Sequence, residues 1–214
     1  MSNTAESAKT IYLDYAATTP TDPEVLKAML PYFGLEYSNA SSMHSSGRRA
    51  GQAIAAARFE IAQVLRCDPS EIIFTGSGTE SDNLALLGIA HAYKSEGDHV
   101  IISSIEHKAV TESAQRLREE GFDVSIAPVA ADGLIDVPAL IALITEKTIL
   151  ISVMYANNEI GTMQPIQEIV SKIQSWKSSR GNRVMPFFHT DACQAAGALP
   201  LDVKKLGVDL MTIN

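Results

Sequence analysis

Residues 148–154 read TILISVM, a run in which only Thr148 and Ser152 are polar. A strand that is buried on both faces has no polar side, so its sequence is continuously apolar instead of alternating. Such strands occur where helices cover both faces of a parallel sheet. The run therefore predicts one inner strand of a mostly parallel α/β sheet.

The segments on either side of this run alternate between β-rich and helical patterns. Five further strands are predicted at residues 71–75, 99–103, 122–127, 184–190 and 209–213. Helices are predicted at residues 48–65, 79–94, 108–120, 137–145, 166–177 and 203–206, after an earlier helix that starts at Asp22-Pro23. This βα alternation predicts a doubly wound α/β fold with helices on both faces of the sheet.

The composition excludes several classes of function. The chain has 17 Lys and Arg against 25 Asp and Glu, a net charge of −8, and it has no basic cluster of the kind that nucleic-acid binding requires. Cys67 and Cys193 form no CxxC pair, which disfavours a disulfide framework and a cysteine-rich zinc site. No apolar run approaches the roughly 20 residues of a membrane span, and residues 1–10 lack the pattern of a signal peptide. We expect a cytoplasmic protein without a nucleic-acid, membrane or metal partner.

The loop after the first predicted strand is rich in small residues. Residues 76–81 read GSGTES and lead directly into a predicted helix. The amides and the dipole at a helix N-terminus bind phosphate, and the Ser77 and Thr79 hydroxyls are additional donors. A dinucleotide-binding loop is excluded because Ser81 occupies the position of the third glycine. The alternative interpretation is a helix cap in a tight turn.

Three other predicted strands end in polar residues, at the edge of the sheet where ligands of α/β proteins bind. His107 stands at a helix start, where a cap or a surface residue is the alternative interpretation. Asn157 and Asn158 precede a glycine-containing turn, where they could simply form the turn. Asp191 ends a strand among apolar residues, and a buried carboxylate requires a cationic partner. No Lys or Arg stands near it in the sequence, so that partner is either distant in the chain or part of a ligand.

Together these four strand ends suit one kind of ligand. A phosphate-binding loop, an imidazole, an amide and a carboxylate match a phosphorylated heteroaromatic cofactor that has a basic ring nitrogen, and pyridoxal phosphate is that molecule. A buried aspartate keeps the ring nitrogen protonated, so that the ring can accept electrons from a substrate. The imidazole can stack on the ring, and amide side chains can bind its phenolic oxygen.

Five segments carry a resemblance to the cysteine desulfurases of the class V aminotransferase group. They are LDYAATTP at 13–20, FTGSGTES at 74–81, EHKAV at 106–110, NNEIGT at 157–162 and HTDACQ at 189–194. The motifs occur in the family's order, and the resemblance extends from Ile11 onward. It implies the large cofactor-binding domain of a fold type I pyridoxal phosphate enzyme.

The resemblance also implies residue roles on the phosphate side and on the face of the cofactor. Gly78 and Thr79 bind the phosphate. His107 stacks on the pyridine ring and moves protons, which makes it the catalytic residue of this set.

Further roles are implied for residues that contact the ring atoms. Asn158 contacts the phenolic oxygen and the substrate, Asp191 holds the pyridinium nitrogen, and Gln194 bonds the phenolic oxygen. Residues 39–47 match the family's Asn-x-Ser-Ser-x-His segment near the active-site entrance.

The activity that the resemblance implies is the removal of sulfur from L-cysteine, which gives L-alanine and an enzyme persulfide. The persulfide would pass to a sulfur-acceptor protein for iron-sulfur cluster or thio-cofactor assembly. Family members are homodimers, so we expect a homodimer for the full-length protein. Two alternatives stay open: a selenocysteine lyase or aminotransferase of the same group, and a non-catalytic α/β module that binds a phosphate ligand or a partner.

Parts of the family pattern are absent from this sequence. The chain stops at Asn214, just before the family's Schiff-base lysine, and it lacks the later substrate-binding arginine, the nucleophilic cysteine and the small domain. Neither Cys67 nor Cys193 occupies the position of that cysteine, and packing is the expected role of both. We therefore expect the N-terminal part of a longer enzyme, inactive by itself. Its predicted parts are a polar lead at 1–10, a segment with the entrance loop at 11–50, and an incomplete large cofactor-binding domain at 51–214.

Overall fold

A parallel sheet forms the core of the structure, a computed structural model that describes residues 11–181 and 183–214. Within these residues the strands are β1 (His99–Ser103), β2 (Asp123–Ala127), β3 (Thr148–Ser152), β4 (Phe187–Asp191) and β5 (Leu210–Thr212). Their spatial order is β2-β1-β3-β4-β5, and every neighbouring pair is parallel. The predicted α/β fold class is confirmed. The lead predicted at residues 1–10 lies outside the described residues.

The strand order reverses between β1 and β3. From β1 the chain passes to the edge strand β2 and then returns to the other side of β1 as β3. Ile102 is aligned with Ile126 of β2 on one side and with Ser152 of β3 on the other. The connections that follow β1 and β3 therefore diverge, and the crevice between them is where ligands of doubly wound sheets bind.

The described chain forms seven α-helices and two short 3₁₀ helices. The α-helices are α1 (Pro23–Met29), α2 (Ser45–Leu65), α3 (Gly78–Ala92), α4 (Lys108–Glu119), α5 (Val137–Ala142), α6 (Ile166–Ser178) and α7 (Val203–Leu206), and the 3₁₀ helices are Leu30–Phe33 and Pro69–Glu71. Most α-helices begin with a side chain that accepts a first-turn amide, as the predicted cap Asp22 does from Glu24 at 2.7 Å. None of the described helices is long and apolar enough to cross a membrane.

Helices cover both faces of the sheet, as predicted. Val100 and Ile102 of β1 pack with α3 and α4 in one buried cluster that includes Leu86. Ile101, between them, packs with α5 and α6 in a second cluster that includes Ile169. Successive side chains of a strand point to opposite faces, so both faces of β1 are apolar. The same double burial applies to every residue of β3 and explains its continuously apolar sequence.

The strand predicted at residues 71–75 is wrong. Glu71 ends a 3₁₀ helix, and residues 72–75 form neither strand nor helix. Ile73 and Phe74 remain 69% and 47% exposed, although their β-rich character suits a strand. A strand requires a neighbour that shares its hydrogen bonds. Among the described residues this segment has no such neighbour, because β5 is the edge of the sheet on this side.

The described chain divides into two compact units, one that ends at residue 52 and one at residues 53–214. The first contains the predicted entrance loop, where the Gly47 amide donates to His44 Nδ1 at 3.2 Å. A Cβ at Gly47 would lie 2.3 Å from the Ser42 carbonyl oxygen, so this turn requires glycine. The second unit contains the whole sheet and the candidate site.

Candidate active site

The N-terminus of α3 forms an anion-binding turn. The Ser77 hydroxyl caps the helix by accepting the Glu80 amide at 3.2 Å, and Glu80 Oε2 accepts the Gly76 amide at 2.6 Å. These two bonds fix the loop and leave the first-turn amides of Gly78 and Thr79 without acceptors inside the helix. Such amides bind phosphate, and the helix dipole favours its charge. The cap predicted as an alternative is present, and it shapes the anion site.

Gly78 lies against the loop that follows β4. A Cβ built on Gly78 would lie 2.8 Å from Cys193 Sγ, which is closer than real Cβ atoms approach. A side chain at this position would therefore force Cys193 or the start of α3 to move. This close approach brings the anion-binding turn next to the carboxyl end of β4, where Asp191 lies.

We expect Gly78→Ala to weaken the binding of a phosphorylated ligand about tenfold, because overpacking of this size costs roughly 1–3 kcal/mol. Titration of pyridoxal phosphate into the full-length protein, followed by absorbance, measures the dissociation constant. Gly88→Ala on the same helix is the matched control, since a Cβ there meets only Leu84 Cδ1 at 3.9 Å. The double variant Gly78→Ala/Cys193→Ala should regain affinity because it restores the space. Wild-type affinity in Gly78→Ala would contradict the assigned contact.

Asp191 is the last residue of β4 and is 5% exposed. Its Oδ1 accepts the backbone amide of Cys193 at 2.9 Å. Among the described residues no Lys or Arg forms an ion pair with it. Asp191 is therefore buried, as the sequence suggested, and has no cationic partner within the described chain. Its positive partner is a ligand or a group outside the described residues.

His107 and Asp82 lie beside Asp191. One nitrogen or oxygen atom from each of the three side chains lies within 4.8 Å of the others. These are also atoms that a divalent cation accepts as ligands, but a metal ion would not explain the anion-binding turn next to them. An aromatic cofactor with a phosphate at one end and a basic nitrogen at the other fits both features.

His107 caps α4 and faces the site at the same time. Its Nδ1 accepts the Ala109 amide at 3.2 Å, so the neutral imidazole carries its proton on Nε2. The ring is exposed at the carboxyl end of β1, next to the point where the strand order reverses. The cap holds the ring in place and leaves Nε2 available for proton exchange.

The two asparagines after β3 have different roles. The Asn157 amide donates to the Ile105 carbonyl at 2.9 Å, and its oxygen accepts the amides of Glu159 and Ile160 at 2.8 and 2.9 Å. Asn157 therefore forms the turn. Within the described residues the half-buried Asn158 side chain makes no hydrogen bond, so it is the one available to a ligand.

Gln194 is exposed in the turn after β4, three residues beyond Asp191. The structure thus brings His107 and Asp191 together and places Asn158 and Gln194 on loops at the same edge of the sheet. The contacts of Asn158 and Gln194 with a phenolic oxygen stay predictions.

A buried carboxyl that the sequence analysis missed connects two of these loops. Glu106 Oε1 accepts the Ser103 hydroxyl at 2.5 Å and the Met154 amide at 2.8 Å, which ties the end of β1 to the end of β3. Glu106 Oε2 is buried without a partner among the described residues. Burial raises the pKa of Glu106 to about 8, and the negative charge of Asp191 contributes to the rise. The only sequence signal was an acid placed directly before His107.

Because its pKa is higher in the folded state, Glu106 stabilises the fold fully at acid pH and loses this contribution as pH rises towards about 8. Glu106→Gln keeps an acceptor for Ser103 and Met154 and removes the titration. We expect the variant to gain stability relative to wild type as the pH rises from about 4.5 to about 8, by up to roughly 5 kcal/mol. Chemical denaturation of the full-length protein at several pH values measures this gain. A pH-independent difference would contradict the buried acid.

A second histidine, His189, is buried next to the site and is neutral. His189 Nδ1 lies 2.9 Å from the Ser152 hydroxyl, and Nε2 lies 3.1 Å from the Thr212 hydroxyl. Burial lowers the pKa of His189 to about 4, although the charge of Asp191 opposes the shift. His189 therefore supplies no positive charge to the carboxyls around it at neutral pH.

Neither cysteine has the properties of an activated nucleophile. Burial, together with the charge of Asp191, raises the pKa of Cys193 strongly, and burial and Glu71 raise the pKa of Cys67. A nucleophilic cysteine needs a lowered pKa so that the thiolate is present. The packing role predicted for both residues agrees with this electrostatic environment.

A parallel sheet with a switch point, an anion-binding helix start and a buried carboxylate beside an imidazole define the cofactor-binding domain of a fold type I pyridoxal phosphate enzyme. Within that class, the chain belongs to the class V aminotransferase family, because residues 11–214 match the family described as "Aminotransferase class-V". Members of this family depend on pyridoxal phosphate, and the donor set at this site fits that cofactor.

Individual relatives and solved structures resemble this chain over nearly its whole length. The chain is 44% identical over 206 residues to cysteine desulfurase IscS of Clostridium botulinum (strain Kyoto / Type A2), covering 96% of this chain and 50% of that protein. A solved structure described as a NifS-like protein matches with a TM-score of 0.89 at 36% identity, over 95% of this chain and 54% of its own. A structure described as SspA in complex with cysteine matches with a TM-score of 0.87 at 38% identity, over 96% and 57%. The chain thus spans about half the length of the curated relatives it matches.

Proposed function

We propose that this chain is the cofactor-binding part of a cysteine desulfurase, which removes sulfur from L-cysteine and produces L-alanine and an enzyme persulfide. One observation carries the proposal: Asp191 is buried, has no cation among the described residues, and lies beside His107 at the edge that carries the anion-binding turn. The identity of 44% with a protein named cysteine desulfurase IscS supports the same reaction.

Pyridoxal phosphate, when bound, supplies an electron-accepting ring that stabilises negative charge on the carbon of an attached amino acid. In this assignment the α3 amides at Gly78 and Thr79 hold the phosphate. Asp191 keeps a proton on the ring nitrogen through a charge-assisted hydrogen bond. Asn158 and Gln194 orient the ring through its phenolic oxygen.

His107 is the proton-transferring residue of the described chain. Its Nδ1 accepts the Ala109 amide, so transfer involves Nε2. An imidazole suits this role because its ordinary pKa lies close to neutral pH. The persulfide-forming cysteine is assigned to neither Cys67 nor Cys193, whose pKa values are raised.

The substrate, the partners and the location belong to the proposal as well. L-cysteine is the proposed substrate, and the match to a structure described as containing cysteine supports it. A sulfur-acceptor protein would receive the persulfide for iron-sulfur cluster or thio-cofactor assembly, and the full-length protein would act as a homodimer. A cytoplasmic location suits two free cysteines.

The test uses the full-length protein loaded with pyridoxal phosphate and supplied with L-cysteine and a thiol reductant. We expect alanine and sulfide in equal amounts, measured by chromatography and by sulfide assay. Amino-group transfer to a 2-oxo acid without sulfide would identify an aminotransferase, and reaction with selenocysteine alone would identify a selenocysteine lyase. Failure to bind the cofactor would favour the non-catalytic module.

A further inference from the structure

Asp82 is a buried carboxyl at the bottom of the candidate site. It lies one helical turn after Gly78 on α3 and is 1% exposed. The Thr212 hydroxyl of β5 hydrogen-bonds its carboxyl group. The other oxygen, Oδ1, is buried and has no hydrogen-bond partner among the described residues.

Asp82 lies among other acidic side chains and has no cationic neighbour among the described residues. An oxygen of its carboxyl lies within 4.8 Å of an oxygen of Asp191 and of a ring nitrogen of His107. His189 Nε2, at 3.7 Å from Asp82 Oδ1, is held neutral by burial. Glu106 is a third acid close enough for the charge of Asp82 to raise its pKa. No Lys or Arg within the described ranges forms an ion pair with Asp82.

Two carboxyls this close cannot both carry a charge in a buried site without a cation. Burial, and then the charge of Asp191, raise the pKa of Asp82 to about 7 in spite of its bond with Thr212. Asp191 Oδ1 accepts a backbone amide at 2.9 Å, whereas Asp82 Oδ1 is buried and accepts none among the described residues. The proton therefore belongs on Asp82.

We infer that Asp82 is a positioning residue for the cofactor: as an uncharged acid bound to Thr212, it leaves Asp191 as the single anion that faces the ring nitrogen. The inference rests on the proposed function, since it concerns the same cofactor. Because Asp82 is neutral, it does not repel the charged carboxylate of Asp191. The site then holds one negative charge, on Asp191, opposite the one positive charge of the ring nitrogen.

Substitutions separate the charge of Asp82 from its shape. Asp82→Asn keeps the shape and the neutral state, so the dissociation constant of pyridoxal phosphate at mildly acid pH should stay within about threefold of wild type. Asp82→Ala removes one partner of the Thr212 hydroxyl and leaves a void beside Asp191, and we expect at least about tenfold weaker binding. Asp98→Asn, an exposed carboxylate near Lys147 at the opposite end of the sheet, is the control.

Two spectroscopic measurements report on Asp82 directly. In the full-length wild-type protein without cofactor, carbon-13 NMR of labelled aspartate carboxyls should show Asp82 titrating at about 7. With cofactor bound, the absorbance spectrum of wild type should change with pH as Asp82 ionises, and that of Asp82→Asn should lack this change. A residue with a purely structural role would not produce the second difference.

The outcomes distinguish the two proposals. Asp82 titrating near its ordinary value of 3.8, or a more than tenfold loss of cofactor affinity in a folded Asp82→Asn protein, would overturn the role of Asp82 and leave the proposed function intact. A wild-type protein that binds no pyridoxal phosphate would overturn both. The NMR titration needs only wild type, so it decides even if a variant fails to fold.

Discussion

Asp191→Ala in the full-length, cofactor-loaded protein is expected to lower turnover of L-cysteine about a thousandfold, the scale of losing one preorganised charged group in an active site. Asp191 is the buried anion opposite the ring nitrogen, and without it the nitrogen loses its proton. An unprotonated ring accepts electrons poorly, so the chemical step slows more than substrate binding. We therefore expect a large fall in kcat and a smaller change in KM.

Steady-state sulfide release measures the turnover of this variant, and the absorbance of bound cofactor measures occupancy. Asp98→Asn, which removes a distant exposed carboxylate, should leave both unchanged. Normal absorbance together with normal turnover in Asp191→Ala would remove the basis for assigning a pyridine-binding role.

Asp82 makes a further outcome specific to this protein. In Asp191→Asn the charge that repels the Asp82 carboxylate is gone. The Asp82 carboxyl, which lies within 4.8 Å of residue 191, can then ionise and partly replace Asp191 opposite the ring nitrogen. The double variant Asp191→Asn/Asp82→Asn should therefore lose more activity than Asp191→Asn alone. A double-mutant cycle measures this coupling because the two residues are close enough for their effects to be non-additive.

Sequence patterns predicted the strands correctly where burial on both faces is enough to identify a strand. The run at residues 148–154 is apolar because helices cover both of its faces, and β3 forms within it. Residues 71–75 are as β-rich, but a strand also requires a neighbour to bond with, and local sequence carries no information about that neighbour. This is why one prediction was confirmed and the other was wrong.

The candidate site divides in a similar way. His107 and Asp191 were predictable because Asp191 ends a strand and His107 follows one within a few residues, and parallel strands present their carboxyl ends at one edge. Asp82 and Glu106 were missed because an acid within a helix or a loop is usually exposed. Their burial depends on how α3 packs against β5 and how the end of β1 meets the end of β3, which are tertiary contacts between distant segments.

Phe188→Ala is expected to destabilise the full-length protein by about 4 kcal/mol, within the range for deleting a fully buried aromatic ring. Phe188 is 1% exposed in β4 and belongs to the cluster that includes Ile151 and Ile169. Removal of the ring leaves a cavity between the sheet and α6 that close-packed neighbours cannot fill. Urea denaturation, followed by circular dichroism, measures the free energy of unfolding.

Two substitutions test whether this loss comes from the cavity. Phe188→Leu keeps most of the buried volume and should cost about 1–1.5 kcal/mol, while Phe33→Ala, at a residue 75% exposed, should change stability by less than about 0.5 kcal/mol. Equal losses in all three variants would show that Phe188 is not a core residue.

Phe188 lies three residues before Asp191 on the same strand, so its loss should also weaken pyridoxal phosphate binding. The loss of affinity should follow the loss of stability across Phe188→Leu and Phe188→Ala. Asp191→Ala differs from these variants: it should lower turnover about a thousandfold while the free energy of unfolding changes little. This difference separates the residue that acts on the cofactor from the residue that holds its strand in place.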